Sequence, residues 1–595
     1  MKNLVSLNRY FWKYRWRLGL GVLFIFLSNL FAVLSPEVVR YTIDYTIGQV
    51  KFASLLSGFS IASTFHSTLI RSIVIFAVII FAFALLRGIF LFFMRQTIIV
   101  MSRYIEYDQK NELYNHYQQL DASFYKENNT GDLMSRITED VSRVRNYTGP
   151  AIMYIINTVI LFFMVAYTMY QVNAELTFYA LAPLPVLAVC IFFVNSIIEK
   201  RSEAIQLQLS QLTTTAQETY SGIRIIKAYV QEHFSEKHFN DESIEYKNRQ
   251  LKLARVESFF FPTIFMLVGF STLSVVFVGG NKVMQGQITP GNIAEYFMYI
   301  NMLTWPIASM GWVMALIQRA SASQKRLDEF LSIEPKIKNP TAEKHPIKGG
   351  VEFHNVSFTY DNTGITALKN ISFQLKAGEK MAVIGRTGAG KSTMANLFTR
   401  VFDVTEGSIL LDGIDIRSIN LNSLREQVGV VPQDVLLFSD TVTNNISFGN
   451  DVVDEPLAVE FANRAAIGEE ILRLQHGYNT MVGERGVMLS GGQKQRISIA
   501  RALIKNPSVL VLDDCLSAVD ARTENKILEQ FNEVLKEKTA IVITHRIFTL
   551  IQFDKIIVLD KGKIAEEGTH QQLLSCRGIY FQLYELQQQE EKKEL

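Results

Sequence analysis

Six long apolar runs occupy the N-terminal half of the chain and are separated by polar and charged stretches. They cover approximately residues 18–34, 72–93, 152–170, 176–198, 259–278 and 293–317. Each has roughly 17 residues or more, which is the length that an α-helix needs to cross a bilayer. Any one run could be a buried helix of a soluble protein, but six together predict an all-α transmembrane domain of six helices.

Lysine and arginine residues favour one orientation of these spans. They concentrate before the first run and in the long connections after the second and fourth runs, and they are scarce around 171–175 and 279–287. The positive-inside rule therefore predicts that both termini and the two long connections are cytoplasmic. These connections are charged and favour helix, so we expect them to extend the spans beyond the bilayer. With no organellar presequence before the first run, a bacterial plasma (inner) membrane is expected.

The pattern changes after the sixth run. Residues 334–350, EPKIKNPTAEKHPIKGG, contain three prolines and many charges, which is typical of a linker. From residue 351 onward, short apolar runs alternate with helix-favouring segments and predict an α/β domain. The predicted organisation is a transmembrane domain at 1–333, a linker at 334–350 and an α/β domain at 351–595.

The composition agrees with a membrane part joined to a soluble part, because 48% of residues are hydrophobic and 19% are charged. A net charge of +2 gives no argument for a nucleic-acid partner. Three scattered cysteines, Cys190, Cys515 and Cys576, are too few for a disulfide framework and indicate a reducing compartment.

A glycine-rich stretch, GRTGAGKST, follows the strand-like KMAVI and precedes the helix-favouring MANLFTR. This is the strand–loop–helix context of a phosphate-binding loop, where backbone N–H groups close around a polyphosphate at a helix N-terminus. Lys391 is expected to reach the β- and γ-phosphates, and the Ser392 hydroxyl to bind Mg²⁺. The predicted ATP-binding residues of this loop are Gly385, Arg386, Thr387, Gly388, Ala389, Gly390, Lys391, Ser392 and Thr393.

Two adjacent acids close the apolar run VLVLDD at 509–514. A run this apolar predicts a buried strand, and its end lies at the edge of the sheet where such domains bind ligands. We expect Asp513 to be the acid on the Mg²⁺ side. Asp514, one residue on, is expected to face the γ-phosphate and the attacking water.

Between these motifs lies LSGGQKQR at 489–496, and the three together resemble the signature of an ATP-binding-cassette (ABC) ATPase. VPQD at 431–434 is similar to the glutamine loop of that family, SAVD at 517–520 to its D-loop, and ITHR at 543–546 to its switch-histidine segment. Six spans followed by one cassette resemble a half-size ABC exporter of type IV. Residues 124–141 and 218–232 are similar to the coupling segments of such exporters.

The resemblance implies ATP and Mg²⁺ as cofactors, and two cassettes that close head to tail around two ATP molecules. It implies that Tyr360 stacks on adenine, and that the catalytic residues are Asp514, His545 and Gln433. The metal residues would be Ser392, Gln433 and Asp513. The signature loop would bind the ATP of the partner chain through Leu489, Ser490, Gly491, Gly492 and Gln493. The D-loop residues carried over are Ser517, Ala518 and Asp520.

The chain departs from the family at Asp514, where a glutamate is usual. The shorter side chain withdraws the carboxylate by up to about 1.5 Å, and a misplacement of roughly 1 Å can cost on the order of 10²-fold in rate. Beside an intact signature loop, this resembles one member of a heterodimeric exporter whose own site hydrolyses ATP slowly. The alternative is a homodimer in which Asp514 acts through an intervening water.

The resemblance implies ATP-driven efflux of amphipathic or drug-like small molecules across the lipid bilayer. The expected partner is a second half-transporter. A homodimeric lipid flippase, a peptide exporter, and an ATP-gated channel or regulator remain as alternatives.

Overall fold

The computed structural model describes residues 2–55, 62–341, 343–450, 452–515, 538–545 and 553–594. The chain divides into two compact units. The first comprises Met1–Gln118 and Gly131–Ile333, and the second comprises Gln119–Thr130 and Glu334–Leu595. The short segment Gln119–Thr130, although it lies between two helices of the first unit in sequence, therefore belongs to the second unit.

The first unit is built from helices. Its long helices are Arg15–Leu55, Ala62–Gln119, Ile152–Val172, Pro183–Ser221, Glu232–Met284 and Pro290–Leu331. Its shorter α-helices are Asn8–Lys13, Thr130–Ser135, Val141–Asn146, Ala174–Leu181 and Ile223–Ala228. A 3₁₀-helix at Lys2–Leu7 and π-helical turns at Arg136–Asp140 and Tyr147–Ala151 complete this unit.

Six helical stretches among the described residues are long and apolar enough to cross a membrane. They are Arg15–Phe52, Thr68–Gln119, Thr130–Val172, Ala174–Ser221, Glu232–Met284 and Pro290–Leu331. Each contains one of the predicted apolar runs, so the prediction of six apolar helices is confirmed. The 53 residues of Glu232–Met284 far exceed the roughly 20 that a bilayer requires, because its charged N-terminal part continues the same helix.

The last long helix begins where its sequence provides a cap. Thr289 and Asn292 form a reciprocal capping box, and Pro290 occupies the first turn, where a missing N–H costs nothing. The Asp44 carboxylate, from the first long helix, accepts from the Gly291 N–H at 2.9 Å and from the Thr289 hydroxyl at 2.6 Å. These bonds fix the start of the last helix against the C-terminal half of the first long helix.

A buried ion pair joins the same two helices further along. The fully buried Glu295 carboxylate accepts from Arg40 at 3.2 Å, from Asn292 at 3.1 Å and from the Tyr299 hydroxyl at 3.1 Å. A charge inside an apolar bundle needs such partners because its desolvation is otherwise uncompensated. The pair therefore sets the register between the first and the last long helix.

Two sheets form the second unit. Its strands are β1 (Val351–Thr359), β2 (Thr366–Leu375), β3 (Lys380–Gly385), β4 (Glu406–Leu411), β5 (Ile414–Asp415), β6 (Val428–Val431), β7 (Val509–Asp513), β8 (Thr539–Ile543), β9 (Lys555–Asp560) and β10 (Lys563–Gly568). The smaller sheet has the order β2-β1-β4-β5 and the larger β10-β9-β3-β8-β7-β6. In the larger sheet β9, β3, β8, β7 and β6 are parallel, and their near-continuous burial matches their apolar sequences.

Helices cover the sheets and confirm the predicted α/β class. They are Ala122–Glu127, Lys391–Phe398, Leu421–Gln427, Val442–Ser447, Glu455–Arg464, Gly468–Leu472, Gly491–Ile504, His570–Cys576 and Ile579–Glu594. One apolar core lies between the two sheets and includes Phe353 and Phe398. A second core packs the helices around Gly491–Ile504, with Phe461 and Ile497 inside it.

Candidate nucleotide-binding site

Four neighbouring strands of the larger sheet end at one edge, and each leads into a predicted site residue. β3 runs into the glycine-rich loop, β7 ends at Asp513, β8 ends shortly before His545, and β6 ends shortly before Gln433. Asp513 and Val383 both pair in register with Ile543 of β8, so the ends of these three strands are level. Parallel strands bring their carboxyl ends to the same edge, where ligands of such sheets bind.

These residues line one cavity of about 530 Å³. Its predicted members are Tyr360, Thr387, Gly388, Gly390, Lys391, Ser392, Thr393, Gln433, Asp513, Asp514 and His545. It also includes residues that no motif indicated, namely Ile365, Thr366, Ala367, Lys369, Lys561 and Gly562. These come from β2, its preceding turn and the β9–β10 turn, which only the tertiary fold brings to the glycine-rich loop.

The glycine-rich loop requires glycine where neighbouring backbone approaches it. Gly390 has φ of 99°, and a Cβ there would lie 2.5 Å from the Ala367 carbonyl oxygen. A Cβ at Gly385 would collide with the Leu559 carbonyl. Helix Lys391–Phe398 starts directly after this turn, so its N-terminal N–H groups face the cavity side of the loop.

Lys391 is buried at the start of that helix. Its ammonium donates to the carbonyls of Gly385 at 2.8 Å and Arg386 at 3.0 Å, which holds the side chain across the loop. Burial lowers the pKa of Lys391, while the charges of Asp514 and Asp513 oppose that shift. The buried ammonium has little water around it. A phosphate group in the cavity would therefore stabilise its positive charge.

Asp513 has the chemistry of a metal ligand. It is 5% exposed, and burial raises the pKa of its carboxyl, as does the neighbouring charge of Asp514. A hydrogen bond from the Ser392 hydroxyl and the charge of Lys391 oppose that shift. A buried carboxylate beside a hydroxyl is the oxygen donor set that Mg²⁺ prefers when phosphate completes its coordination. The residues present therefore fit the expected cation.

Asp514 has an unusual backbone conformation. Its φ is 45°, in the left-handed region that aspartate tolerates better than most residues. Its N–H donates to the Ile543 carbonyl at 2.8 Å, which ties the residue to the end of β8. Asp514 lines the same cavity as His545 and Gln433.

Tyr360 directly follows β1 and borders the same cavity. Its hydroxyl lies 3.0 Å from the Thr393 hydroxyl, and its ring meets Phe358 and Phe402 edge to face. The ammonium of Lys126, in helix Ala122–Glu127, lies 4.9 Å from the centre of the Tyr360 ring. No sequence pattern indicates this contact, because the two residues are far apart along the chain.

The signature loop lies elsewhere in the second unit. None of Leu489–Gln493 contributes to the lining of the 530 Å³ cavity. Ser490 is the N-cap of helix Gly491–Ile504, and it forms a reciprocal capping box with Gln493. Ser490 and Gly491 are exposed, so this helix N-terminus faces outward. The predicted D-loop residues Ser517, Ala518 and Asp520 lie outside the described residues.

Known proteins share both halves of this arrangement. Residues 18–307 match the family model for the ABC transporter transmembrane region, and residues 368–517 match that for the ABC transporter. The chain is 40% identical over 484 residues to a probable multidrug resistance ABC transporter ATP-binding/permease protein, YheI, of Bacillus subtilis (strain 168), covering 80% of this chain and 82% of that protein.

A second relative has a different described activity. The chain is 36% identical over 487 residues to an ATP-dependent lipid A-core flippase of Syntrophus aciditrophicus (strain SB), covering 82% of this chain and 81% of that protein. Among solved structures, it is similar to a bacterial Atm1-family ABC exporter with ATP bound. That match has a TM-score of 0.77 and 27% identity, and covers 96% of this chain and 99% of the other.

Proposed function

Since this chain belongs to the ABC transporter family, as a half-size type IV exporter and ATP-hydrolysing translocase, we propose that it exports amphipathic or drug-like compounds by alternating access. The observation that carries the proposal is the 530 Å³ cavity, in which a phosphate loop, two acids and a histidine meet at the end of the sheet. Six apolar helices on the same chain supply the membrane part.

The predicted binding and catalytic residues of the cavity have separate roles in the proposed cycle. The loop N–H groups and Lys391 bind the phosphates, Tyr360 stacks on the adenine, and His545 contacts the γ-phosphate. Ser392, Gln433 and Asp513 would hold Mg²⁺, which neutralises charge on the phosphates and orients them. Asp514 positions or deprotonates the attacking water.

The active assembly is a head-to-tail pair of cassettes. The separation of the signature loop from the cavity supports this arrangement, because one chain does not line its own cavity with Ser490. The exposed N-terminus of helix Gly491–Ile504 suits the γ-phosphate of an ATP bound by the partner chain. Closure on ATP would favour an outward-facing membrane domain, and hydrolysis would reset it.

The partner is a different half-transporter. The support for this is Asp514, whose carboxylate is one methylene shorter than the usual glutamate and whose backbone is bonded to Ile543. The intact signature loop would complete the partner's site, while the Asp514 site binds ATP and hydrolyses it slowly.

ATPase measurements on the purified chain in proteoliposomes test the heterodimer. Alone, the chain should turn over slowly, and Ser490→Ala should change that low rate little. Full turnover without a partner that is lost in Ser490→Ala would instead establish a homodimer. The same result would leave the exporter assignment intact.

A lipid-like substrate is the second candidate, because relatives such as the Syntrophus aciditrophicus flippase act on lipid A-core. ATP-dependent uphill accumulation of an amphipathic fluorescent cation in proteoliposomes would support drug-like efflux. Transfer of a labelled lipid between leaflets without dye transport would support a flippase. ATP-gated ion current without uphill transport would contradict both. A peptide substrate would be detected by the same uphill assay with a labelled peptide.

We place the chain in the bacterial plasma (inner) membrane with both termini and the cassette in the cytoplasm. The distribution of lysine and arginine among the connections supports this orientation. ATP supplied only to the cassette side of sealed vesicles should then energise transport.

A further inference from the structure

The carboxylate of Glu470, which belongs to none of the sequence motifs, is hydrogen-bonded to residues of the signature motif. Glu470, in the short helix Gly468–Leu472, accepts from two side chains of the following helix. The guanidinium of Arg496 donates to it from Nη1 at 2.7 Å and from Nη2 at 3.0 Å, and the Gln493 amide donates from Nε2 at 3.0 Å. Three charge-assisted bonds therefore converge on one carboxylate.

Arg496 makes this support rigid. Its side chain is only 8% exposed, and it also donates to the carbonyls of Ala466 at 2.8 Å and Gly492 at 3.2 Å. The guanidinium thus links the helix that carries Glu470 to the first turn of helix Gly491–Ile504, the signature helix. A planar, bidentate pair of this kind fixes orientation as well as distance.

The bond to Gln493 extends this support to the residue that caps the signature helix. The Gln493 amide oxygen accepts from the Ser490 N–H at 3.0 Å, and the Ser490 hydroxyl accepts from the Gln493 N–H at 3.3 Å. Both ends of the Gln493 side chain are therefore used, one on Ser490 and one on Glu470.

The Ser490 hydroxyl keeps its hydrogen in this arrangement. A serine hydroxyl has one hydrogen to donate, and here its oxygen accepts from the backbone. The bond to Gln493 does not use the hydrogen, and Ser490 is exposed at the N-terminus of helix Gly491–Ile504. An anion at that helix end would receive the hydroxyl proton donor together with the helix N–H groups.

We propose that Glu470 is a positioning residue for ATP hydrolysis in trans: through Gln493 and Arg496 it holds Ser490 in the orientation that meets the γ-phosphate bound by the partner cassette. This inference rests on the proposed head-to-tail dimer. It also makes helix Gly468–Leu472 the element whose displacement would disengage the signature loop.

The test compares Glu470→Ala and Glu470→Gln with the adjacent Glu469→Ala in the full-length transporter, reconstituted in the form that gives full turnover. That form is the pair with the partner half-transporter, or the chain alone if the homodimer alternative holds. Glu469 is the matched control, because its side chain is 92% exposed and its nearest cation, Arg473, is 4.0 Å away. The readouts are kcat and KM for ATP, and binding of the fluorescent analogue TNP-ATP without turnover.

We expect Glu470→Ala to lower kcat on the order of tenfold to a hundredfold while TNP-ATP binding stays within about twofold of the parent, because the phosphate loop is untouched. Glu470→Gln, which preserves volume and one acceptor, should lose less than Glu470→Ala. Glu469→Ala should match the parent.

Two results would overturn the proposal. One is equal kcat for Glu470→Gln, Glu470→Ala and Glu469→Ala. The other is a parallel loss of TNP-ATP binding and turnover, which would make Glu470 a residue of general folding. Ser490→Ala tests the head-to-tail dimer independently of Glu470. Full turnover in Ser490→Ala would refute the trans site itself, whatever the Glu470 variants do.

Discussion

The backbone N–H of Asp514 donates to the carbonyl of Ile543 at 2.8 Å, while Asp514 adopts a left-handed φ of 45°. The bond fixes this acid to the end of β8, next to the segment that carries His545. Because the backbone is held in this way, the reach of the carboxylate into the cavity depends on the length of the side chain.

Asp514→Glu should therefore raise ATP turnover at this chain's own site. The added methylene returns the carboxylate by about 1.5 Å, and the expected gain is on the order of tenfold to a hundredfold. Asp514→Asn should lower turnover to background, since an amide cannot accept a proton from water. Single-turnover hydrolysis of radiolabelled ATP measures both.

Asp514→Glu has an informative control in Asp513→Glu, which lengthens the buried acid instead. That substitution should reduce turnover, because the extra methylene must fit a strand end that is already buried. If Asp514→Glu left the rate unchanged, side-chain length would not limit hydrolysis and the homodimer alternative would be favoured.

Lys126→Ala should weaken ATP binding. The Lys126 ammonium lies 4.9 Å from the Tyr360 ring and 4.8 Å from the Phe402 ring, both distances that allow cation–π attraction. At an exposed site this is worth about 0.5–1 kcal/mol, so KM for ATP should rise roughly two- to fivefold. Lys126→Arg should retain the parent KM.

Lys338→Ala is a matched control for Lys126→Ala. The exposed ammonium of Lys338 pairs only with the exposed Glu334 among the described residues. An unchanged KM in Lys126→Ala, or an equal rise in Lys338→Ala, would show that the Lys126–Tyr360 contact does not affect nucleotide binding.

The sequence predicted those parts of the molecule that depend on local pattern. Six apolar runs gave six helices, and the apolar strands β3, β7 and β8 brought Lys391, Asp513 and His545 to one cavity. Spacing within a motif sufficed because each of these residues lies at the end of a buried strand or within six residues after it. The catalytic roles of these residues, and the D-loop, stay predictions.

Contacts between distant segments could not be predicted from pattern. Glu469 and Glu470 are adjacent and chemically identical in the sequence, and only the packing of a short helix directs one to Arg496 and the other to solvent. Lys126 likewise reaches Tyr360 only because Gln119–Thr130 folds with the second unit.

Glu295→Ala should destabilise the membrane domain strongly. Removing this fully buried carboxylate leaves Arg40 without its nearest anion, and breaking one side of a buried pair typically costs about 3–5 kcal/mol. Glu37→Ala is the control, because Glu37 lies 3.6 Å from the same guanidinium but is one-third exposed. Thermal unfolding in detergent should show a large decrease for Glu295→Ala and a small one for Glu37→Ala. Equal midpoints for the two variants would contradict the structural role given to Glu295.

The ion pair between Glu470 and Arg496 should make the thermal stability of the protein depend on pH. Burial opposes the shift, but hydrogen bonds from Arg496 and Gln493 and the charge of Arg496 lower the pKa of Glu470 from its ordinary 4.5. A carboxyl with a lowered pKa stabilises the fold above its unfolded value, and that stabilisation is lost as pH falls through the folded value. The difference in unfolding temperature between the parent and Glu470→Gln should thus be constant from about pH 8 to pH 5 and shrink below about pH 4. A difference that instead changed near pH 7, or persisted unaltered well below the folded pKa, would show that the charge of Glu470 does not stabilise this loop.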